Sequence, residues 1–167
     1  MVIIYSLTDK GIQMDTLNEY NRHLLSNALW VDLLSPTKDE EQLVEHDLNI
    51  EIPTKKELEE IEPSSRLYTE NRVVFMTTTL VVLSDLPQVK NDVVTFILTH
   101  KTLVTLRYIE LHAFKLFQSK LIRSTSTNYT AHSLFIDLLD AVVERLADIL
   151  ETISNQCDEI SQLIFHH

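Results

Sequence analysis

The chain has 167 residues, 44% of them hydrophobic, and its 14 basic and 25 acidic side chains give a formal charge of −11. That length and apolar content suit one globular domain with a proper core rather than a disordered chain. The acidic balance argues against a nucleic-acid backbone or an anionic membrane surface as partner. Cys157 is the only cysteine, which excludes a disulfide framework and a cysteine zinc site and fits a reducing compartment.

Gly11 is the only glycine, so neither the GxGxxG nor the P-loop phosphate cradle can be written, and nucleotide enzymes of those types are excluded. No run approaches the roughly 18–20 apolar residues of a membrane span, and no secretory signal opens the chain, so a soluble protein is expected.

Val2 to Leu7 reads as a β-strand and Thr8 to Gly11 as its turn. Leu29 to Leu34 is a second, apolar strand. Ser35-Pro36 then reads as a helix start, with Ser35 capping and Pro36 at the first helical position. Asp39, Glu40 and Glu41 follow in the first turn, where negative charge complements the helix dipole. Thr54 to Ile61 reads as a short acidic helix stopped near Pro63. Val73 to Leu83, Asp92 to Thr99 and Thr102 to Leu106 are rich in Val, Ile, Phe and Thr and read as strands, the last two joined by a tight hairpin at His100-Lys101. A helix from about Glu110 to Ile122 and a polar link, Ser124 to Thr130, come next.

From Ala131 to the end there is neither Gly nor Pro, and Leu139, Val142, Leu146, Ile149, Ile153, Ile160 and Leu163 recur mostly in steps of three and four. This spacing predicts one helix of about 35 residues, roughly 50 Å long. A domain of this size cannot cover it, so it should project or pack on partner helices. Strands, helices, strands and helices in that order argue an α+β fold with a mixed sheet, divided into a domain at 1–130 and a long helix at 131–167.

Acids cluster in two blocks: ten against two lysines in residues 39–62, and seven against one arginine in residues 131–165. Asp137, Asp140, Glu144, Asp148, Glu151 and Asp158 fall on one helix face, with Arg145 as the only cationic partner on that helix. The plain interpretation is a solvated face that keeps the protein soluble. The sharper one is a surface that meets another acidic surface and is relieved by Mg²⁺, which takes oxygen ligands, keeps several waters and often needs only one or two carboxylates.

Trp30-Val31-Asp32-Leu33-Leu34-Ser35-Pro36 and Glu57-Leu58-Glu59-Glu60-Ile61-Glu62-Pro63-Ser64-Ser65-Arg66 resemble the cytoplasmic domain of the CorA-type magnesium transporters of proteobacteria. So do Val94-Thr95-Phe96-Ile97, Leu103 to Glu110, Ala113-Phe114 and Glu144-Arg145-Leu146-Ala147-Asp148, and the resemblance runs from about Ala28 to the end. It implies an αβα sandwich around the mixed sheet, a stalk helix, and a homopentamer tied to the membrane by two further C-terminal helices with Gly-Met-Asn between them. Those helices and that motif do not occur in these 167 residues, so the chain reads as a piece cut before its membrane spans that does not itself conduct ions. The implied role is regulatory: Mg²⁺ held weakly between neighbouring cytoplasmic domains keeps the pore closed, with Co²⁺ and Ni²⁺ as further candidate ions and no enzymatic activity.

Carried over residue by residue, the resemblance places the sensor's adjacent pair of acids at Lys56 and Glu57 and the acid at the stalk start at Asp137. Lys56 departs from the pattern, since an ammonium cannot ligate a cation. Glu60 and Asp140, one turn away, are candidate substitutes. Two alternatives stay open: the corresponding domain of a related zinc transporter, and a stand-alone acidic protein that associates through its long helix.

The seven histidines are scattered and form no zinc signature, and His166-His167 are either native or an expression remnant. No serine sits in a nucleophile elbow. Trp30 reads as plain core, and Arg66 and Arg107 as partners of nearby acids.

Overall fold

The chain opens with a hairpin, β1 (Val2–Thr8) and β2 (Gly11–Thr16), and closes with a 35-residue helix, α4 (Ala131–Phe165). The computed structural model describes the backbone of residues 1–83 and 89–165; His166 and His167 lie outside the described residues. Between hairpin and helix come β3 (Ala28–Leu34), α1 (Lys38–Leu48), α2 (Lys55–Glu59), β4 (Leu67–Glu70), β5 (Val73–Leu83), β6 (Val89–Leu98), β7 (Leu103–Arg107) and α3 (His112–Arg123).

The strands form one seven-stranded sheet in the order β2-β1-β3-β7-β6-β5-β4. β3 and β7 are paired in parallel and every other neighbour antiparallel, so the sheet is mixed, as expected. Successive strand side chains point to opposite faces, which divides the core in two. Tyr5, Trp30, Phe96 and Leu103 join α3 and α4 on one face, through Phe114, Phe117, Leu134, Leu138 and Val142. Ile4, Val31, Leu33, Ile97 and Val104 join α1 and α2 on the other, through Val44 and Leu58. The result is three layers, helix on sheet on helix.

Gly11 is required where it stands. Its φ is +111°, and a Cβ there would lie 2.7 Å from the Ser124 carbonyl oxygen. The His100-Lys101 hairpin forms as expected, with Thr99 N–H donating to the Thr102 carbonyl.

The first helix does not begin at Ser35-Pro36. Its N-cap is Thr37, whose hydroxyl accepts from Glu40 N–H while the Glu40 carboxylate accepts from Thr37 N–H, a reciprocal capping box. Ser35 instead adopts a φ of +42° and donates its hydroxyl to the Tyr108 carbonyl at 2.8 Å, tying the end of β3 to the end of β7. β2, the edge strand β4 and a 3-10 turn at Arg22–Asn27 were not anticipated from the sequence.

The long helix is unbroken. Its first half is part of the core, with Ala131, Leu134, Leu138, Val142 and Ile149 buried on the sheet. From Leu150 to Ile164 every residue is exposed. About four turns therefore extend beyond the domain.

Candidate divalent-cation site

Glu57 owes its position to a cap. It is the third residue of α2, whose N-cap is Thr54. Glu57 Oε2 accepts from both the backbone N–H and the hydroxyl of Thr54, each at 2.8 Å, and these bonds hold its carboxyl below the usual carboxylate range. Glu57 is thus a firmly ionised, exposed carboxylate with one oxygen engaged. It lines a cleft between α2 and the β4 edge together with Glu51 and Glu70, beside the Tyr68 ring. Burial, then Glu70, Glu57 and Glu51 in turn, raise the Tyr68 hydroxyl above its ordinary pKa.

Glu60 is the C-cap of α2 and is exposed, and it is not among the residues that line this cleft. Lys56 is exposed on the same short helix.

Asp137 and Asp140 are exposed on α4 and line a second cleft, between α3 and α4, with Glu144 and Asp148. The helical spacing read from the sequence therefore does gather these acids. The cleft also receives Lys120 from α3, so Arg145 is not the only cation available to them. Arg145 itself stands 3.9 Å from Asp148.

The sheet keeps the two sets of acids apart. α2 packs on the face that buries Val31 and Leu33, and α4 on the face that buries Trp30 and Phe96. Within one chain Glu57 and Asp137 do not share a site. Among the described residues no three His, Cys, Asp or Glu side chains converge to hold a metal ion. What each face offers is carboxylate oxygen, the donor that Mg²⁺ prefers, in numbers that leave most of its coordination to water or to a second surface.

Sequence reasoning missed the most constrained polar group in the molecule. Asp32 is fully buried and accepts from Arg107 Nη2 at 2.8 Å, Arg107 Nε at 3.1 Å, Thr105 Oγ1 at 2.7 Å and Gln118 Nε2 at 3.0 Å. Thr105 in turn accepts from the Trp30 indole N–H at 2.9 Å. These bonds join β3, β7 and α3 under the α3–α4 layer. Trp30 is core and Arg107 does pair with an acid, as expected, whereas no ion pair among the described residues involves Arg66. The signal for Asp32 was an aspartate inside an otherwise apolar strand.

With that geometry in view, comparison with known proteins identifies the lineage. The profile of the CorA-like Mg²⁺ transporter proteins matches residues 26–167. The chain belongs to that family. Family membership makes it part of a transporter lineage rather than an enzyme lineage. The magnesium transport protein CorA of Escherichia coli strain K12 is 31% identical over 140 residues, which is 84% of this chain and 44% of that protein. The corresponding protein of Sodalis glossinidius is 30% identical over 152 residues, 91% of this chain and 48% of that one. The chain thus spans about half the length of these relatives.

The fold is shared more widely. The complete CorA magnesium transporter structure from Methanocaldococcus jannaschii matches 99% of this chain and 51% of its own, with a TM-score of 0.71 at 11% identity. The ZntB cytoplasmic domain from Vibrio parahaemolyticus matches 94% of this chain and 63% of its own, with a TM-score of 0.65 at 11% identity. Among the described residues no helix is long and apolar enough to cross a membrane.

Proposed function

We propose that this chain is the cytoplasmic, cation-sensing part of a CorA-like Mg²⁺ transporter, and that it senses the ion between neighbouring copies. The observation that carries this reading is the placement of Glu57 and Asp137, both exposed, on opposite faces of one sheet. A site that uses both carboxylates therefore needs neighbouring copies, since the sheet keeps the two apart within one chain. In a homo-oligomer, pentameric by analogy with the family, Glu57 of one copy meets Asp137 of the next, with Asp140 and Glu60 nearby. Bound Mg²⁺ would cancel the repulsion between the two acidic surfaces and favour the closed, assembled state.

All candidate ligands are carboxylates, which favours Mg²⁺ over Zn²⁺, an ion that takes nitrogen and sulfur donors readily. For that reason the magnesium reading is preferred to the zinc-transporter alternative. Co²⁺ and Ni²⁺ remain further candidate ions. The stand-alone adaptor alternative is separated by the gene sequence downstream of His167: two apolar spans with Gly-Met-Asn between them exclude it.

With few protein ligands and an ion that dehydrates reluctantly, the affinity is on the order of millimolar. An ion that binds only the assembled state stabilises that state by mass action. Millimolar Mg²⁺ should therefore raise the melting temperature or promote association beyond what Na⁺ does at matched ionic strength, which controls for screening of the −11 charge. The combined substitution Glu57→Gln, Asp137→Asn should remove the difference. Equal responses to Mg²⁺ and Na⁺, or an unchanged response in the double variant, would overturn the proposal.

A further inference from the structure

The pairing of Val74 with Leu98 across β5 and β6 sets two turns side by side at one end of the sheet. Arg72 closes the β4–β5 turn, two residues before Val74, and His100 lies in the β6–β7 turn, two residues after Leu98. The first turn of α4 brings His132 to the same place. With Thr99 these three line an open concavity of about 480 Å³, the size of a small-molecule site, whose apolar part is Val74 and Leu98.

Its charge is opposite to that of the clefts described above. Glu57 and Asp137 lie among further acids, whereas no acid lines this concavity. In a chain of formal charge −11, one guanidinium and two imidazoles converge here, and none of them joins an ion pair among the described residues. The N-terminal end of the 35-residue α4 adds partial positive charge. Thr99 fixes the turn that carries His100: its hydroxyl donates to the Thr102 carbonyl at 3.0 Å and accepts from Thr102 N–H at 2.9 Å.

Arg72 is also a poor choice for the turn it occupies. Asn71 and Arg72 are the two central residues of a tight hairpin, with φ of +48° and +67°. Asparagine tolerates that region, but the second position of such a turn favours glycine. Glycine would suit the backbone better and would remove the guanidinium from the concavity.

We infer that this concavity binds a phosphoryl-bearing anion. The guanidinium fork matches two phosphate oxygens at once, and each imidazole offers at least one N–H in either charge state. Donors from three separate segments suit a tetrahedral oxyanion better than the two oxygens of a carboxylate.

Inorganic pyrophosphate is the probe, titrated into the 167-residue chain in metal-free buffer at constant ionic strength. Calorimetry should show one saturable site below about 10 mM, and the His100 and His132 imidazole C–H signals should move in NMR spectra. Arg72→Gly should weaken binding at least about tenfold. The same substitution should raise the melting temperature by about 2–4 °C, because glycine relieves the turn, so the lost binding is not a loss of fold. His100→Gln combined with His132→Gln should also weaken binding about tenfold. Acetate and chloride should neither bind nor compete. Absence of a saturable site, unchanged binding in either variant, or equal competition by acetate overturns the proposal. A melting temperature lowered by Arg72→Gly would assign the arginine to the turn and overturn it as well. Each of these results leaves the cation-sensing reading standing, since the binding is measured without metal and through other residues.

Discussion

Arg107 Nη2 lies 2.8 Å from Asp32 Oδ2 in the centre of the molecule, with both side chains almost wholly out of contact with solvent. The guanidinium also donates to the Ile109 carbonyl at 2.9 Å and sits 4.8 Å from the centre of the Phe114 ring. Both charges are paired and hydrogen-bonded, which is the condition for tolerating them in a core. Removing one partner leaves the other stranded. Asp32→Ala and Arg107→Met should each cost about 3–5 kcal/mol in urea unfolding, and the double variant Asp32→Leu, Arg107→Met should cost less than the sum of the single changes.

The right substitution separates the capping role of Glu57 from its proposed role as a cation ligand. Glu57→Ala removes the partner of Thr54 and should destabilise α2 by about 1 kcal/mol even without metal. Glu57→Gln keeps an acceptor for Thr54 and removes the charge. Thermal melts in metal-free buffer should therefore place the glutamine variant nearer the parent than the alanine variant. In Mg²⁺ both variants should lose the added stabilisation. A glutamine variant that keeps the full Mg²⁺ response would remove Glu57 from the site.

The Arg22 side chain bonds to Asp47, with Nε donating to Oδ2 at 2.7 Å, and holds the Asp47 carboxyl down at about 2. Because the folded value lies below the ordinary 3.8, the pair contributes stability above that ordinary value, and the contribution is lost as pH falls toward 2. NMR titration of the parent should find Asp47 near its depressed value. In Arg22→Ala the same carboxyl should titrate closer to the ordinary range. The acid limb of the stability curve should flatten between those two pH values.

Gly11→Ala tests the first hairpin. The substitution meets both an unfavourable backbone angle and the Ser124 carbonyl oxygen, so it should cost more than about 1 kcal/mol. Urea unfolding of the variant against the parent reads this directly. A neutral result would mean that the β1–β2 turn can move away from the polar link before α4.

The layout of this fold was legible wherever a long-range requirement left a local trace. Apolar runs marked β1, β3, β5 and β7, and a stretch without Gly or Pro marked the start of α4 at Ala131. β4 left no trace because its four residues are all exposed at the sheet edge, with no buried face to impose alternation. The Ser35 cap failed for a local reason: Thr37, two residues on, has Glu40 at the spacing a capping box needs, and Ser35 is drawn to Tyr108 by the adjoining strand. Asp32 could not be understood from its neighbours, since its main partner is 75 residues away. Of the candidate site, the helical spacing that gathers Asp137 and Asp140 was readable. The presence of Lys120 beside them was not, because it depends on how α3 lies against α4.

The separation of Glu57 from Asp137 by the sheet also limits the symmetry of any assembly they hold together. A cation shared by these two residues joins the front of one copy to the back of the next, so the two contacting surfaces are unlike. A two-fold pair needs the same patch on both partners and cannot be made this way. Each copy instead keeps one open front and one open back until the last meets the first. The contact therefore propagates head to tail, and it ends only when the chain of copies closes into a ring.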